Sequence, residues 1–308
     1  MNNTMSIRLA ALRRRLQPLW PWLRWGTAAT LALLLVLDFA FPPPLPKQRD
    51  TSTLVVAADG TPLRAFADAE GVWRYPASIN SVSPLYLQAL LTYEDRWFWR
   101  HPGINPLAIL RASGQLLRGG RIVSGGSTLT MQVARILDPH TRTPWGKLKQ
   151  MLRAVQLEVH LSKQQILALY LERAPYGGTI EGVEAASWAY LGKPAAQLSH
   201  AEAALLAVLP QAPSRLRPDR HPEAAQKARD KVLSRMNELG VWTADEVEDA
   251  RIENVVARSL RPPLHAALLA QRLHSAHPGQ ARIQSSIDIG LQRTLEERVA
   301  SYFSTLPE

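Results

Sequence analysis

The sequence predicts a mostly α-helical chain with one short β-hairpin near its start, preceded by a single transmembrane helix. Three observations carry that prediction. Residues 25–41, WGTAATLALLLVLDFAF, are free of charge except for Asp38. Residues 54–58 and 63–66 are apolar-rich and flank Asp59-Gly60, a strong turn signal. Between residues 84 and 257, hydroxyl-led helix starts recur and no strand pattern is convincing.

With the Trp20–Leu23 approach, the first apolar run is long enough to cross a hydrocarbon core of roughly 30 Å. Trp20, Trp22 and Trp25 stand where an interfacial aromatic belt would lie. Arg8, Arg13, Arg14, Arg15 and Arg24 all precede the run, so the positive-inside rule puts the N-terminus in the cytoplasm and the rest outside. FPPPLP at 41–46 ends the helix, because proline cannot continue it. A cleaved signal peptide and a buried core helix are the competing readings. A cleaved signal ends in small residues, and Asp38-Phe39-Ala40-Phe41 fits that poorly.

Further along, Ser83-Pro84 reads as an N-cap with proline at the first helical position. Ser162-x-x-Gln165, Ser199-x-x-Glu202 and Thr243-x-x-Glu246 are capping boxes, the first with Leu161 and Ile166 as a staple, the last with Trp242 and Val247. Pro213, Pro218 and Arg220-His221-Pro222 suggest an extended surface run, and Arg261-Pro262-Pro263 breaks a later acidic helix. Residues 281–288 read as a strand, followed by a helix from about Gly290. The organisation expected is 1–46 tail and anchor, 47–225 a main domain, and 226–308 a linker with the opening of another module.

Composition narrows the function. Apolar residues are 46% of the 308, which excludes a disordered or collagen-like chain. Cysteine is absent, so disulfides, thiolate metal sites and a cysteine nucleophile are excluded. The net charge of +10 is localised: residues 1–25 carry +5, residues 94–153 carry +7, and the two remaining stretches carry −1 each. The first excess sets membrane topology. The second asks for an anionic partner.

Four features coincide in 94–178. Glu94-Asp95 sits at a predicted helix end among Trp97, Phe98 and Trp99; such a carboxylate serves as a general base or acid, or equally as an ordinary helix-end ion pair. Ser124-Gly125-Gly126-Ser127-Thr128 runs into a helix whose Thr128, Gln132 and Arg135 share one face, while Leu129, Val133 and Ile136 share the adjacent buried one. Free N–H groups there cradle an anion, or simply begin a capped helix. Arg135, Arg142, Lys147, Lys149 and Arg153 form either a solvated basic face or a pyrophosphate clamp. Ala174-Pro175-Tyr176-Gly177-Gly178 reads as a glycine-rich helix stop.

Together these motifs resemble the glycosyltransferase 51 family, the peptidoglycan glycosyltransferases. The resemblance rests on Glu94-Asp95-x-x-Phe98-x-x-His101-x-Gly103, on Gly126-Ser127-Thr128-Leu129-Thr130-x-Gln132, and on Ser162-Lys163-x-x-Ile166-Leu167-x-x-Tyr170-Leu171. The Gly182-Val183 to Lys193 run and Glu202-Ala203-Ala204-x-Leu206-Ala207 continue it, over about residues 54–225. Ile287-Asp288-x-Gly290-Leu291-Gln292 resembles the start of the transpeptidase module that follows this domain in bifunctional members. Neither Ser-x-x-Lys nor Lys-Thr-Gly occurs in these residues, so transpeptidase activity is not expected of them and the chain reads as truncated.

The resemblance implies a lysozyme-like fold with a small jaw subdomain, on the periplasmic face of a bacterial inner membrane. It implies polymerisation of lipid II onto a growing glycan chain, with undecaprenyl pyrophosphate leaving. Partners are then membrane lipid and cell-wall synthesis proteins, not nucleic acid. Glu94 matches the family's base, and Asp95, Phe98 and His101 complete that motif. Ser127, Thr128, Gln132, Arg135, Arg142, Lys147 and Gln150 match cleft and pyrophosphate positions. No cofactor is required, although Mg²⁺ or another divalent cation assists some members. Two departures stand out. Gln150 replaces the third motif's carboxylate, and Asn105 replaces the aspartate usual after the first. Glu158 offers a substitute for the former. A non-catalytic lipid II-binding scaffold, a muramidase-like hydrolase and a basic nucleic-acid binder are the alternatives.

Overall fold

A computed structural model of the chain describes residues 25–26, 29, 32, 35–36, 38–43, 45–46, 52–107, 126–141, 143–255, 257 and 263–305. It divides into two compact units, Met1–Pro44 and Leu45–Glu308. In the first, residues 25, 26, 29, 32, 35, 36 and 38–40 are helical. Much of the sequence-predicted anchor lies outside the described residues. Among those described, no helix is long and apolar enough to cross a membrane.

The second unit runs β1 (Thr53–Val56), β2 (Pro62–Phe66), β3 (Trp73–Arg74), α1 (Pro84–Glu94), α2 (Leu129–Leu137), α3 (Pro144–His160), α4 (Lys163–Arg173), β4 (Pro175–Gly177), β5 (Ile180–Glu181), α5 (Val183–Ala186), α6 (His200–Val208), α7 (Pro222–Glu238), α8 (Ala244–Ile252), α9 (Ala267–Ala276), β6 (Arg282–Gln284) and α10 (Ile289–Ser304). The hairpin forms where the sequence puts it. β1 and β2 pair antiparallel, and the Asp59 carboxylate accepts from the Thr61 N–H and hydroxyl at 2.9 Å each. β6 joins β1 in parallel to complete a sheet of order β2-β1-β6.

The expectation of no strand between residues 84 and 257 is corrected by a second sheet of order β3-β5-β4. β4 and β5 are only three and two residues long, too short to show an alternating pattern. Ala174 does cap α4, through its N–H to the Tyr170 carbonyl, but the chain then turns into β4 instead of merely stopping.

Helix starts follow local chemistry. The Ser83 hydroxyl accepts from Leu85 N–H, and Ser162/Gln165, Ser199/Glu202 and Thr243/Glu246 form reciprocal capping boxes. α6 is the central helix: residues 201–208 are all buried, so it is apolar nearly all round. Its alanines let α1 and α7 come close. The exception, Glu202, accepts from Ser199 N–H at 2.8 Å and pairs with Lys193 at 2.5 Å. Ala225, Val232, Leu233 and Met236 of α7 and Val247 and Ala250 of α8 join the same core, so packing continues across residue 225. A smaller cluster of Val55, Ala57, Leu63, Ala270 and Ile283 packs the hairpin sheet on α9.

One glycine controls how the segment after α1 meets α3. Gly103 takes φ +84°, and a Cβ there would lie 2.7 Å from the Ala154 carbonyl oxygen. Gly103→Ala is therefore expected to cost about 3 kcal/mol in denaturant unfolding, from combined backbone strain and overlap. A loss below roughly 1 kcal/mol would mean that the contact relaxes freely.

Candidate active site

A cleft of about 800 Å³ is lined by Glu94 at the end of α1, by Ser127, Gln132 and Arg135 at and within α2, and by Lys147 and Gln150 of α3. Arg173, Glu181 and Gln211 also line it, with His140, Thr141 and Thr143. Six of the sequence-predicted site residues thus come together. Arg142 lies outside the described residues.

Glu94 is half-buried. Its Oε2 accepts from Gln132 Nε2 at 2.7 Å and its Oε1 from Gln211 Nε2 at 2.6 Å. Burial pushes this carboxyl above its ordinary range, the two amide bonds pull it back, and the charge of Asp95 adds to the rise. Each carboxylate oxygen has two lone-pair sites, so both amides can bind without using up the basic positions. Gln211 was not among the sequence-predicted site residues. It lies 117 residues from Glu94 in a short helical turn after α6, and no local pattern connects them. β4 passes beneath that turn at Gly177, where a Cβ would meet Arg217 Cγ at 2.7 Å and the Pro213 carbonyl at 2.9 Å.

Asp95 has the opposite setting. It is 7% exposed and caps the C-terminus of α1. It accepts from Leu129 N–H at 2.9 Å and, through both oxygens, from His101 Nε2 at 2.9 Å. It is not among the residues that line the cleft, and its contacts are those of a positioning group. Phe98 and His101 also lie in the core, their rings edge to face with centroids 6.4 Å apart. Thr128 does not share the cleft face. As the N-cap of α2 it accepts from Met131 N–H and donates to the Gly103 carbonyl at 2.5 Å, which buries it.

The basic run divides in two. Lys149 and Arg153 pair with Asp138 at 2.9 and 3.2 Å. Arg135 and Lys147 face the cleft, and among the described residues neither forms an ion pair. Lys147 Nζ donates to Ser127 Oγ at 2.5 Å and to Gln150 Oε1 at 3.1 Å. Burial and then the Arg135 charge hold its pKa below the ordinary lysine value.

Of the cleft's carboxylates among the described residues, Glu181 is bound by Arg74 at 2.6 Å, and position 150 is an amide. Among the described residues, no group of three or more His, Asp or Glu converges. Glu158 is no substitute for Gln150. It is held by Thr130 and Lys163 at 2.6 Å each and does not line the cleft.

The transglycosylase family profile matches residues 59–237. The chain is 54% identical over 288 residues to penicillin-binding protein 1C of Escherichia coli (strain K12), covering 92% of this chain and 37% of that protein. It is 36% identical over 234 residues to penicillin-binding protein 1A of Aquifex aeolicus (strain VF5), covering 73% of this chain and 32% of the other. A crystal structure of penicillin-binding protein 1A from Haemophilus influenzae superposes with a TM-score of 0.40 at 20% identity, over 80% of this chain and 28% of that one. The chain spans about a third of the length of these curated relatives. With its profile match covering more than half the chain, and running through every residue of the cleft wall, the protein belongs to the transglycosylase family.

Proposed function

We propose that this chain is a peptidoglycan glycosyltransferase, which polymerises lipid II into β-1,4-linked glycan and releases undecaprenyl pyrophosphate. The observation that carries the reading is one cleft holding both a carboxylate of raised basicity, Glu94, and two cations, Arg135 and Lys147, that form no ion pair among the described residues. Glu94 takes the proton of the incoming 4-hydroxyl as that oxygen bonds to C1 of the growing chain. The bond from C1 to the pyrophosphate oxygen breaks with inversion. The negative charge that develops on the leaving group falls toward Arg135 and Lys147, where electrostatic stabilisation acts most strongly. Gln132 and Gln211 fix the base, and Ser127 and Gln150 fix the lysine. Asp95, Phe98, His101 and Thr128 shape the wall from behind.

A hydrolase would use a second carboxylate across the bond. The candidate in this cleft, Glu181, is bound by Arg74, which also binds Asp68. That arrangement favours transfer over hydrolysis.

The reading includes a bacterial inner-membrane location with the N-terminus cytoplasmic, a single anchor at 25–41 and a periplasmic catalytic domain within 47–225. The charge pattern and apolar run of residues 1–41 support it. So does α3, which exposes Trp145, Leu148, Leu152, Val155 and Val159 at alternating three- and four-residue spacing. Such a stripe suits contact with a lipid surface. Penicillin-binding relatives carry the corresponding domain within a much longer chain, and the strand and helix after residue 281 are read here as the opening of a following module.

Two outcomes are expected. Glu94→Gln should reduce polymerisation of labelled lipid II by about a hundredfold or more, with the unfolding midpoint unchanged or raised; glycan synthesis near the wild-type level would remove Glu94 as the base. Gln211→Ala takes one donor from the ionised carboxylate, so its pKa should rise further. A base must be ionised to act, so the acid limb of the rate–pH profile should move up by roughly 1 pH unit. An unmoved acid limb would show that Gln211 does not tune Glu94.

A further inference from the structure

We propose that Gln150 is a positioning residue that leaves the charge of Lys147 uncompensated for an anionic ligand, by holding the ammonium through a neutral amide oxygen. The proposal rests on the reading above, that this cleft receives a diphosphate-bearing donor.

Gln150 is 6% exposed, and its amide orientation is dictated by its partners. Nε2 lies 2.6 Å from the Met131 carbonyl, which can only accept. Oε1 lies 3.1 Å from Lys147 Nζ, which can only donate. The second anchor of the ammonium, Ser127 Oγ, is neutral as well. Two of its three protons are therefore placed without cancelling its charge, and among the described residues the third has no acceptor and can serve a ligand. Arg135 lines the same wall, so two positive charges stand together and repel until an anion enters between them.

A carboxylate at position 150 would fail twice. One oxygen would face the Met131 carbonyl at 2.6 Å with no proton between them. The other would form an ion pair with Lys147 and offset part of its attraction for a phosphate group. The amide found here satisfies the buried carbonyl and keeps the cation available. The departure from the family's third motif thus favours direct anion binding by protein cations.

The test uses the full chain in detergent with inorganic pyrophosphate as the probe, titrated by calorimetry at fixed pH and ionic strength. The wild type should bind, Gln150→Glu should bind about tenfold more weakly, and Gln150→Leu should lose less than about threefold. A purely structural role would weaken the two variants alike. Ser127→Asp puts a carboxylate on the other neutral anchor, at the half-buried rim, and should also cost about tenfold; it serves if Gln150→Glu does not fold. The proposal is overturned if the wild type does not bind pyrophosphate, if the carboxylate variants bind within about twofold of it, or if the Leu and Glu variants lose affinity equally. Lipid II polymerisation by the wild type is measured alongside. Its failure with the pyrophosphate pattern intact would count against the polymerase reading alone.

Discussion

Asp95 ends α1 and accepts from Leu129, the first residue of α2, which lies 34 positions further along the chain. His101, on the segment between them, donates to the same carboxylate. Three pieces of backbone are thereby fixed relative to one buried charge. The helix start suits that charge, because the first N–H groups of a helix lack internal partners and carry partial positive charge. Thr128 completes the joint by capping α2 and reaching the Gly103 carbonyl, and Gly103 lies against α3. Removing the carboxylate would leave a buried imidazole and a buried N–H without their acceptor. Such losses typically cost several kcal/mol, more than most surface contacts return.

The same joint separates two adjacent carboxylates into opposite roles. Asp95 points inward to donors that satisfy it. Glu94, one residue earlier, turns into the cleft at the C-terminal end of α1, where the helix dipole disfavours negative charge. Its only hydrogen-bond donors among the described residues are neutral amides. The difference in role comes from placement and not from residue type, as expected when environment assigns the work of each carboxylate. The cations follow a similar rule. Asp138 takes up Lys149 and Arg153, while Arg135 and Lys147 are left facing the cleft wall.

Legibility in the sequence followed distance along the chain. The capping boxes at Ser162, Ser199 and Thr243 could be read because the partners are three residues apart. The Asp59-Gly60 turn was equally local. Glu94, Gln132 and Lys147 were legible through motifs, and their grouping in one cleft only through the family resemblance. Thr128 illustrates the limit: periodicity puts it on a face with Gln132 and Arg135, yet an N-cap residue is not helical and turns its hydroxyl back to the backbone. The pairing of β6 with β1, the contact of Gln211 with Glu94 and the packing of α7 and α8 into the main core all join distant segments. Nothing in a local window records them. The shortness of β4 and β5 hid them for a different reason, since two or three residues cannot display a period.

A base of raised pKa also has a consequence for stability. When folding raises a carboxyl pKa, the native state binds the proton more tightly than the unfolded chain does. Stability then falls as pH rises from the unfolded value through the native one, and the fold bears the whole penalty of an ionised Glu94 only above the raised value. Groups around the cleft act in the opposite direction. Hydrogen bonding from Arg217 lowers Asp219 despite its burial, and the bonds and charges of Lys149 and Arg153 outweigh burial in lowering Asp138. Their contribution is present above the ordinary aspartate range and is lost as pH falls through the lowered values. Both pairs are partly exposed, so each is worth little on its own. Their positions matter more than their energies. One ties the end of α2 to α3, and the other holds the segment behind Gly177 that leads from the Gln211 turn. The ion pairs whose pH dependence opposes that of Glu94 are therefore also the ones that hold the walls around it.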